Sequence, residues 1–204
     1  MLVRMTKTVF REAIENFIRA EAKPPDKLSH QQRLYELAVQ LAGKEAFDDD
    51  VLHAAIWLHD VGVFIGHRPE DPVALAKWDN VAYAVQEAPA FLRRFDFPAD
   101  KIQAVVEAIR THLPSGKPTT FEGTLLRDAD IFEQLGAVGI LRTVSKVGRD
   151  SRFVYFEDAL KVLQRNVEQL PAQLRLESAK ALVDTKLDRL RGFLNAARIE
   201  GVGG

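Results

Sequence analysis

The side chains best suited to chemistry are a histidine and an aspartate side by side. His59 and Asp60 stand at the end of the apolar run Ala54-Ala-Ile-Trp-Leu-His-Asp-Val-Gly62. Burying an imidazole and a carboxylate there is costly unless a cation or a hydrogen-bond network compensates them. Neighbours on an ideal helix lie about 100° apart, so the two cannot point one way from its side, yet both can reach an ion across the helix end. Three further groups of the same chemistry are spaced along the chain: His30 in Ser29-His-Gln-Gln-Arg33, His112 in Ile109-Arg-Thr-His112, and the carboxylates of Arg127-Asp-Ala-Asp130. The sequence contains no cysteine, so any metal must be held by His, Asp or Glu, and zinc ribbons and thiol nucleophiles are excluded. No nucleophile-elbow pattern occurs, which leaves a Ser-His-Asp hydrolase without support.

The elements that position these groups read as helices nearly throughout. Val9, Ala13, Phe17 and Ala20 mark one face of a first helix that stops before Pro24-Pro25. Leu28, Leu34, Leu37, Ala38 and Leu41 mark a second, with Gly43 as its C-cap, and Asp48 to Asp50 offer an N-cap to a third over 51–61. Gly62, Gly66 and Pro69 then break the chain, and further helices are predicted over 72–95, 99–112, 122–135, 137–148, 154–169 and 173–198. Alternating strand patterns, internal repeats and interdomain linkers are not evident. The spacing therefore predicts an all-α fold of about eight to nine helices in a single domain over 1–204, with the motif core at 26–150 and C-terminal helices at 154–198 packing on it. The closing Gly201-Val-Gly-Gly reads as a frayed tail.

Composition narrows the partners. The 204 residues are 47% apolar and 28% charged with a formal net charge of −1, enough for a substantial core but without the basic excess that wraps nucleic acid or docks on anionic membranes. No stretch approaches the roughly 20 apolar residues of a membrane span, and no leader pattern opens the chain, so the cytoplasm is the expected location.

The order His30, His59-Asp60, Asp130 resembles the HD-domain superfamily of metal-dependent phosphohydrolases, whose signature is a His, a His-Asp pair and an Asp, each on its own helix. The likeness extends over 26–195 and includes Phe121-Glu-Gly-Thr-Leu-Leu-Arg-Asp-Ala-Asp130, Gly136-Ala-Val-Gly-Ile-Leu-Arg142 and Glu177-Ser-Ala-Lys180, and it is strongest to the small stand-alone bacterial hydrolases. The resemblance implies that His30, His59, Asp60 and Asp130 ligate a divalent ion. Two imidazoles and two carboxylates suit Mn²⁺ or another transition ion, with Mg²⁺, Co²⁺, Ni²⁺, Zn²⁺ and Fe²⁺ also compatible. It implies hydrolysis of a small phosphorylated metabolite, most plausibly a nucleotide, by a metal-activated water, either as a nucleoside triphosphate pyrophosphohydrolase or as a nucleotidase. A non-catalytic nucleotide-binding module and an iron-dependent oxygenase are the alternative readings. A homodimer is possible.

The remaining candidates are read residue by residue. Helical periodicity favours Asp128 as the more buried carboxylate, whereas the family's Ala-Asp pattern, matched by Ala129-Asp130, favours Asp130. His112 is a candidate second-metal ligand, phosphate donor or general acid, or a helix-terminal histidine favoured by the dipole. Arg33, three residues after His30 and on its helix face, is the best phosphate contact, with Arg68, Lys117, Arg142, Lys146 and Arg149 as looser ones. Glu122 and Glu133 are candidate supporting carboxylates or a proton acceptor, or only helix-start and surface charges. His53 faces away from His59 and reads as structural or solvated, and His67 as an exposed loop residue. Trp57, Trp78, Tyr83 and Phe64 include either a base-stacking residue or only core. Some HD nucleotidases carry a glutamate shortly after the His-Asp pair, but Val61-Gly-Val-Phe-Ile65 contains no acid here, so the general acid is unassigned.

Overall fold

The computed structural model describes residues 9–201, with residues 1–8 and all but the first residue of the glycine-rich tail outside it. Among the described residues there are ten α-helices, three 3-10 turns and no strand, so the all-α expectation is met. None of these helices is long and apolar enough to cross a membrane. The chain forms two compact units, one through Arg127 and one from Asp128 onward.

The first unit contains α1 (Val9–Glu21), α2 (Asp26–Ala42), α3 (Asp49–Leu58), α4 (Pro72–Ala76), α5 (Asn80–Arg94), α6 (Ile102–Thr111) and the first half of α7 (Phe121–Glu133). Its centre is α3, against which α1, α2 and α6 all pack. Every residue of α3 from Val51 to Leu58 is buried, because a helix that is apolar all round has no face to give to water. Its polar end is fixed from several sides. Asp48 caps it by accepting from the N–H groups of Asp50 and Val51 at 3.1 and 3.2 Å. Arg11 of α1 pairs with Asp49 and Asp50, Tyr35 of α2 donates to Asp49 at 2.6 Å, and Lys101 donates to Asp48 and Asp50 at 2.9 and 3.0 Å. Burial, aided by the bond to Asp49, pushes the Tyr35 hydroxyl up to about 12.

Two sequence expectations change here. The buried stripe of α1 runs through Ile14 and Ile18, while Val9 is 85% exposed. Glu15 shares that inward arc and bonds His53 of α3 at 3.1 Å, a buried polar pair that hydropathy reads as surface. The helix predicted over 72–95 is two helices, because Asp71 caps α4 through the Ala74 N–H and Asp79 caps α5 through the Ala82 N–H, each at 2.8 Å.

The second unit contains the rest of α7 with α8 (Ala137–Val144), α9 (Phe156–Gln169) and α10 (Glu177–Ile199), and α8, α9 and α10 pack on one another in pairs. Ala159 and Leu163 of α9, with Ala179, Val183, Leu187, Leu190 and Leu194 of α10, are the buried apolar residues of these two helices. Gly136, at φ +83° and ψ −162°, makes the turn from α7 into α8 in a region that side chains exclude. The last helix begins at Glu177, later than the predicted 173, because Pro171 starts a separate 3-10 turn and Asp128 holds the chain before the helix. That carboxylate, wholly buried, accepts from the N–H groups of Arg175 and Leu176 at 2.6 and 2.7 Å.

Two outcomes follow from these buried charges. Removing Asp128 leaves two N–H groups without their charged acceptor, so Asp128→Ala lowers unfolding stability in urea by about 3 kcal/mol; a loss under about 1 kcal/mol contradicts the anchoring role. Burial pushes His53 down to about 4, against the unfolded value near 6.5, with the Glu15 bond opposing it. The unfolded chain then binds the extra proton between these values, so the contribution is complete above about pH 6.5 and lost as pH falls toward 4, on the order of 3 kcal/mol in all. His53→Gln flattens this part of the stability-pH curve, and an unchanged slope in that variant rules the assignment out.

Candidate metal centre

The end of α3 turns two adjacent residues toward one point. His59 keeps helical backbone angles, while Asp60 sits at φ −100° and ψ 9°, between the helical and extended regions, and opens the 3-10 turn Val61–Val63. The tightened turn defeats the 100° separation of an ideal helix. Gly62 makes it possible, since a Cβ there would lie 2.4 Å from the Asn80 carbonyl oxygen at the start of α5. Trp78 fastens the same turn by donating from Nε1 to the Gly62 carbonyl at 2.8 Å.

His30, in the second turn of α2, meets this pair. His30 Nε2 lies 3.7 Å from Asp60 Oδ2 and His59 Nε2 lies 3.6 Å from Asp60 Oδ1. One ligand atom from each of the three residues falls within 4.8 Å of the others, and both histidines are buried. His59 Nδ1 stands 2.7 Å from the Ile56 carbonyl, so that nitrogen carries the proton and Nε2 presents its lone pair to the cluster. Two imidazole nitrogens and a carboxylate at these distances form a donor set for a divalent transition ion.

His112, at the end of α6, is drawn to the same place. Its ring lies 5.0 Å from that of His59, and its Nδ1 is 2.6 Å from the Ile109 carbonyl, repeating the tautomer and the anchor of His59. With the His30 and His59 rings 5.3 Å apart, His59 has an imidazole neighbour from each of α2 and α6. Arg33 shares α2 with His30, and its guanidinium donates to Ser29 Oγ at 2.9 Å.

Asp130, at the edge of burial, lies in the second unit. Its Oδ2 accepts from Gln134 Nε2 at 3.0 Å and its Oδ1 is 3.6 Å from Arg142 Nη1. Asp128, which periodicity favoured on burial, is the more buried of the two, and its carboxylate is engaged by the chain entering α10. Gln134 was not read from the sequence, although a Gln four residues after an Asp on a helix is a recognised hydrogen-bonding pair.

Several looser candidates take structural places. Glu122 accepts from the Asp48 N–H at 2.7 Å and so supports the start of α3. Glu133 is buried against Arg142. Lys146 stands over the Phe153 ring at 5.2 Å. Phe64 and Trp57 are core residues, 0% and 3% exposed, and are therefore not base-stacking surfaces. His67 corrects the expectation of a solvated loop residue: only 11% of its side chain is exposed, with Nδ1 3.0 Å from the Tyr83 hydroxyl and Nε2 3.1 Å from Glu21. It ties the loop after the His-Asp turn to α1 and α5.

Residues 28–135 match the family model described as HD domain, more than half of the chain. No curated protein is detectably similar in sequence. Among solved structures, a Lactobacillus plantarum protein is 22% identical with a TM-score of 0.75, covering 98% of this chain and 100% of its own. Bacillus subtilis YpgQ, in a crystal structure with ADP, is 20% identical with a TM-score of 0.71 over 96% of this chain and 97% of its own. A predicted HD superfamily hydrolase from an uncultured Thermotogales bacterium is 24% identical with a TM-score of 0.63 over 93% and 91%. These likenesses carry the fold, and the family match spans the helices that bring His30, His59 and Asp60 together: the chain belongs to the HD-domain family.

Proposed function

We propose that this protein is a metal-dependent phosphohydrolase acting on a small phosphorylated metabolite, with a nucleotide as the substrate class. The observation that carries the reading is the convergence of His30, His59 and Asp60 at the end of α3, with the His59 ring already held in the ligating tautomer. Asp130 is the fourth ligand in this reading, supported by the order of the motif and by a family match that reaches residue 135. A divalent ion held there, Mn²⁺ or a similar transition ion by the imidazole content, acidifies water and stabilises charge on a phosphoryl oxygen.

The chain's own residues supply the rest. The Ile56 and Ile109 carbonyls fix the His59 and His112 rings, so neither must reorient when a ligand arrives. His112, against His59, is the group assigned to the substrate phosphate; with its Nδ1–H engaged by the Ile109 carbonyl, it donates from Nε2 only in the protonated, imidazolium form. Arg33, on the His30 face of α2, is assigned to neutralise phosphate charge, and a bidentate guanidinium suits that task. The nucleotide class draws support from YpgQ, whose structure holds ADP in the same fold. Hydrolysis of an anhydride bond, releasing pyrophosphate, is favoured over a monoester by the resemblance to the stand-alone bacterial proteins.

His59→Ala and Asp60→Ala each abolish retention of Mn²⁺ after dialysis, read by elemental analysis, while the far-ultraviolet circular dichroism stays helical. Full metal retention in both variants ends the reading. Protein loaded in turn with Mn²⁺, Co²⁺, Ni²⁺, Zn²⁺ and Mg²⁺ releases pyrophosphate or orthophosphate from nucleoside mono-, di- or triphosphates, and Asp60→Ala releases neither. Firm metal binding without turnover on any of them points to a binding module.

A further inference from the structure

The surroundings of Asp130 form a small charge circuit inside the second unit. Asp130 and Glu133 stand three residues apart on α7 and are 9% and 3% exposed, so two carboxylates share one nearly dry helix face. Like charges at that spacing repel, and burial sharpens the cost. One guanidinium reaches both, and the Lys186 ammonium also bears on Glu133. Arg142 Nη1 makes a short ion pair with Glu133 Oε2 and lies 3.6 Å from Asp130 Oδ1. The other Asp130 oxygen is taken by Gln134 Nε2 at 3.0 Å. Arg142 is carried by α8, and the Gly136 turn folds that helix back toward α7. Its side chain is 27% exposed. This geometry fits a bridge between carboxylates better than an arm reaching for substrate.

We infer that Arg142 is a positioning residue for Asp130, with Glu133 as the anchor that fixes the guanidinium and Gln134 as the second hold on the carboxylate. The inference rests on the reading of Asp130 as a metal ligand. Glu133, in this arrangement, is a tether and not a proton acceptor, and Arg142 is withdrawn from the set of phosphate contacts. The closer contact of the guanidinium runs to Glu133, while Asp130 Oδ1 stands at ion-pair distance from it, which orients that carboxylate. Supporting groups of this kind typically contribute 10- to 100-fold to metal affinity.

The test is Mn²⁺ titration of the whole protein followed by the electron paramagnetic resonance of free Mn²⁺, which needs no turnover. Arg142→Met and Glu133→Gln are each expected to raise the Kd for Mn²⁺ by about 10- to 100-fold, and Arg142→Lys by less, with the wild-type helical signal retained. The decisive comparison is made in an Asp130→Asn background, where Arg142→Met adds no further loss, because its effect passes through that carboxylate. If Asp130→Asn itself leaves the Kd unchanged, the ligand reading fails and takes this inference with it. If Asp130→Asn loses the metal while Arg142→Met and Glu133→Gln bind it as the wild type does, only the positioning role is overturned. An Arg142→Met protein with unchanged Kd and a raised KM for nucleotide restores Arg142 as a substrate contact. Should Arg142→Met not fold, Glu133→Gln and Arg142→Lys carry the same comparison.

Discussion

The first unit depends on one constraint: α3 has no solvent face, yet must end in an imidazole and a carboxylate. From Val51 to Leu58 the helix is surrounded by α1, α2 and α6, so its direction and depth are set by apolar packing. Its chemistry is confined to its two ends. At the N-terminus, three successive aspartates complement the helix dipole and are held by Arg11, Tyr35 and Lys101. At the C-terminus, His59 and Asp60 emerge where α2 and α6 bring further histidines. A helix locked at one end by charge and along its length by burial delivers its last two side chains with little freedom, which is what a metal centre requires.

The histidines show how the same residue is used for different ends. His59 and His112 are fastened by the carbonyl three residues earlier, which sets the proton on Nδ1 and turns Nε2 outward. His53, about one and two-thirds turns before His59, is bound to Glu15 and held neutral by burial, so it contributes packing and a polar link to α1. His67 serves as a loop fastener between Glu21 and Tyr83. Sequence spacing separated His53 from the site correctly, because a helical rotation is arithmetic. It could not foresee the partners of His67, which come from two distant helices.

In the second unit the two carboxylates of Asp128-Ala-Asp130 are put to separate work. Helical geometry places them about 200° apart, so they cannot serve one point. Asp128 is satisfied by backbone N–H groups that begin α10, a structural demand invisible in the local sequence because its donors lie far along the chain. Asp130 is instead set among side chains, Gln134 and Arg142.

The helical class, the broad placement of most helices, and the ordered set of His30, His59-Asp60 and Asp130 on which the family resemblance rests are legible along the chain. These are properties of periodicity, capping residues and motif order, all written locally along the chain. That His59 and Asp60 share a focus despite being adjacent is a product of packing, since it depends on a turn whose Gly62 fits against the Asn80 backbone. Packing likewise drew His112 to His59, gave α1 a buried face with a glutamate in it, and divided the predicted 72–95 helix at Asp79. Each of these depends on which distant groups satisfy a buried charge or a helix end. That partnership is fixed by packing in three dimensions, and hydropathy along one helix carries no record of it.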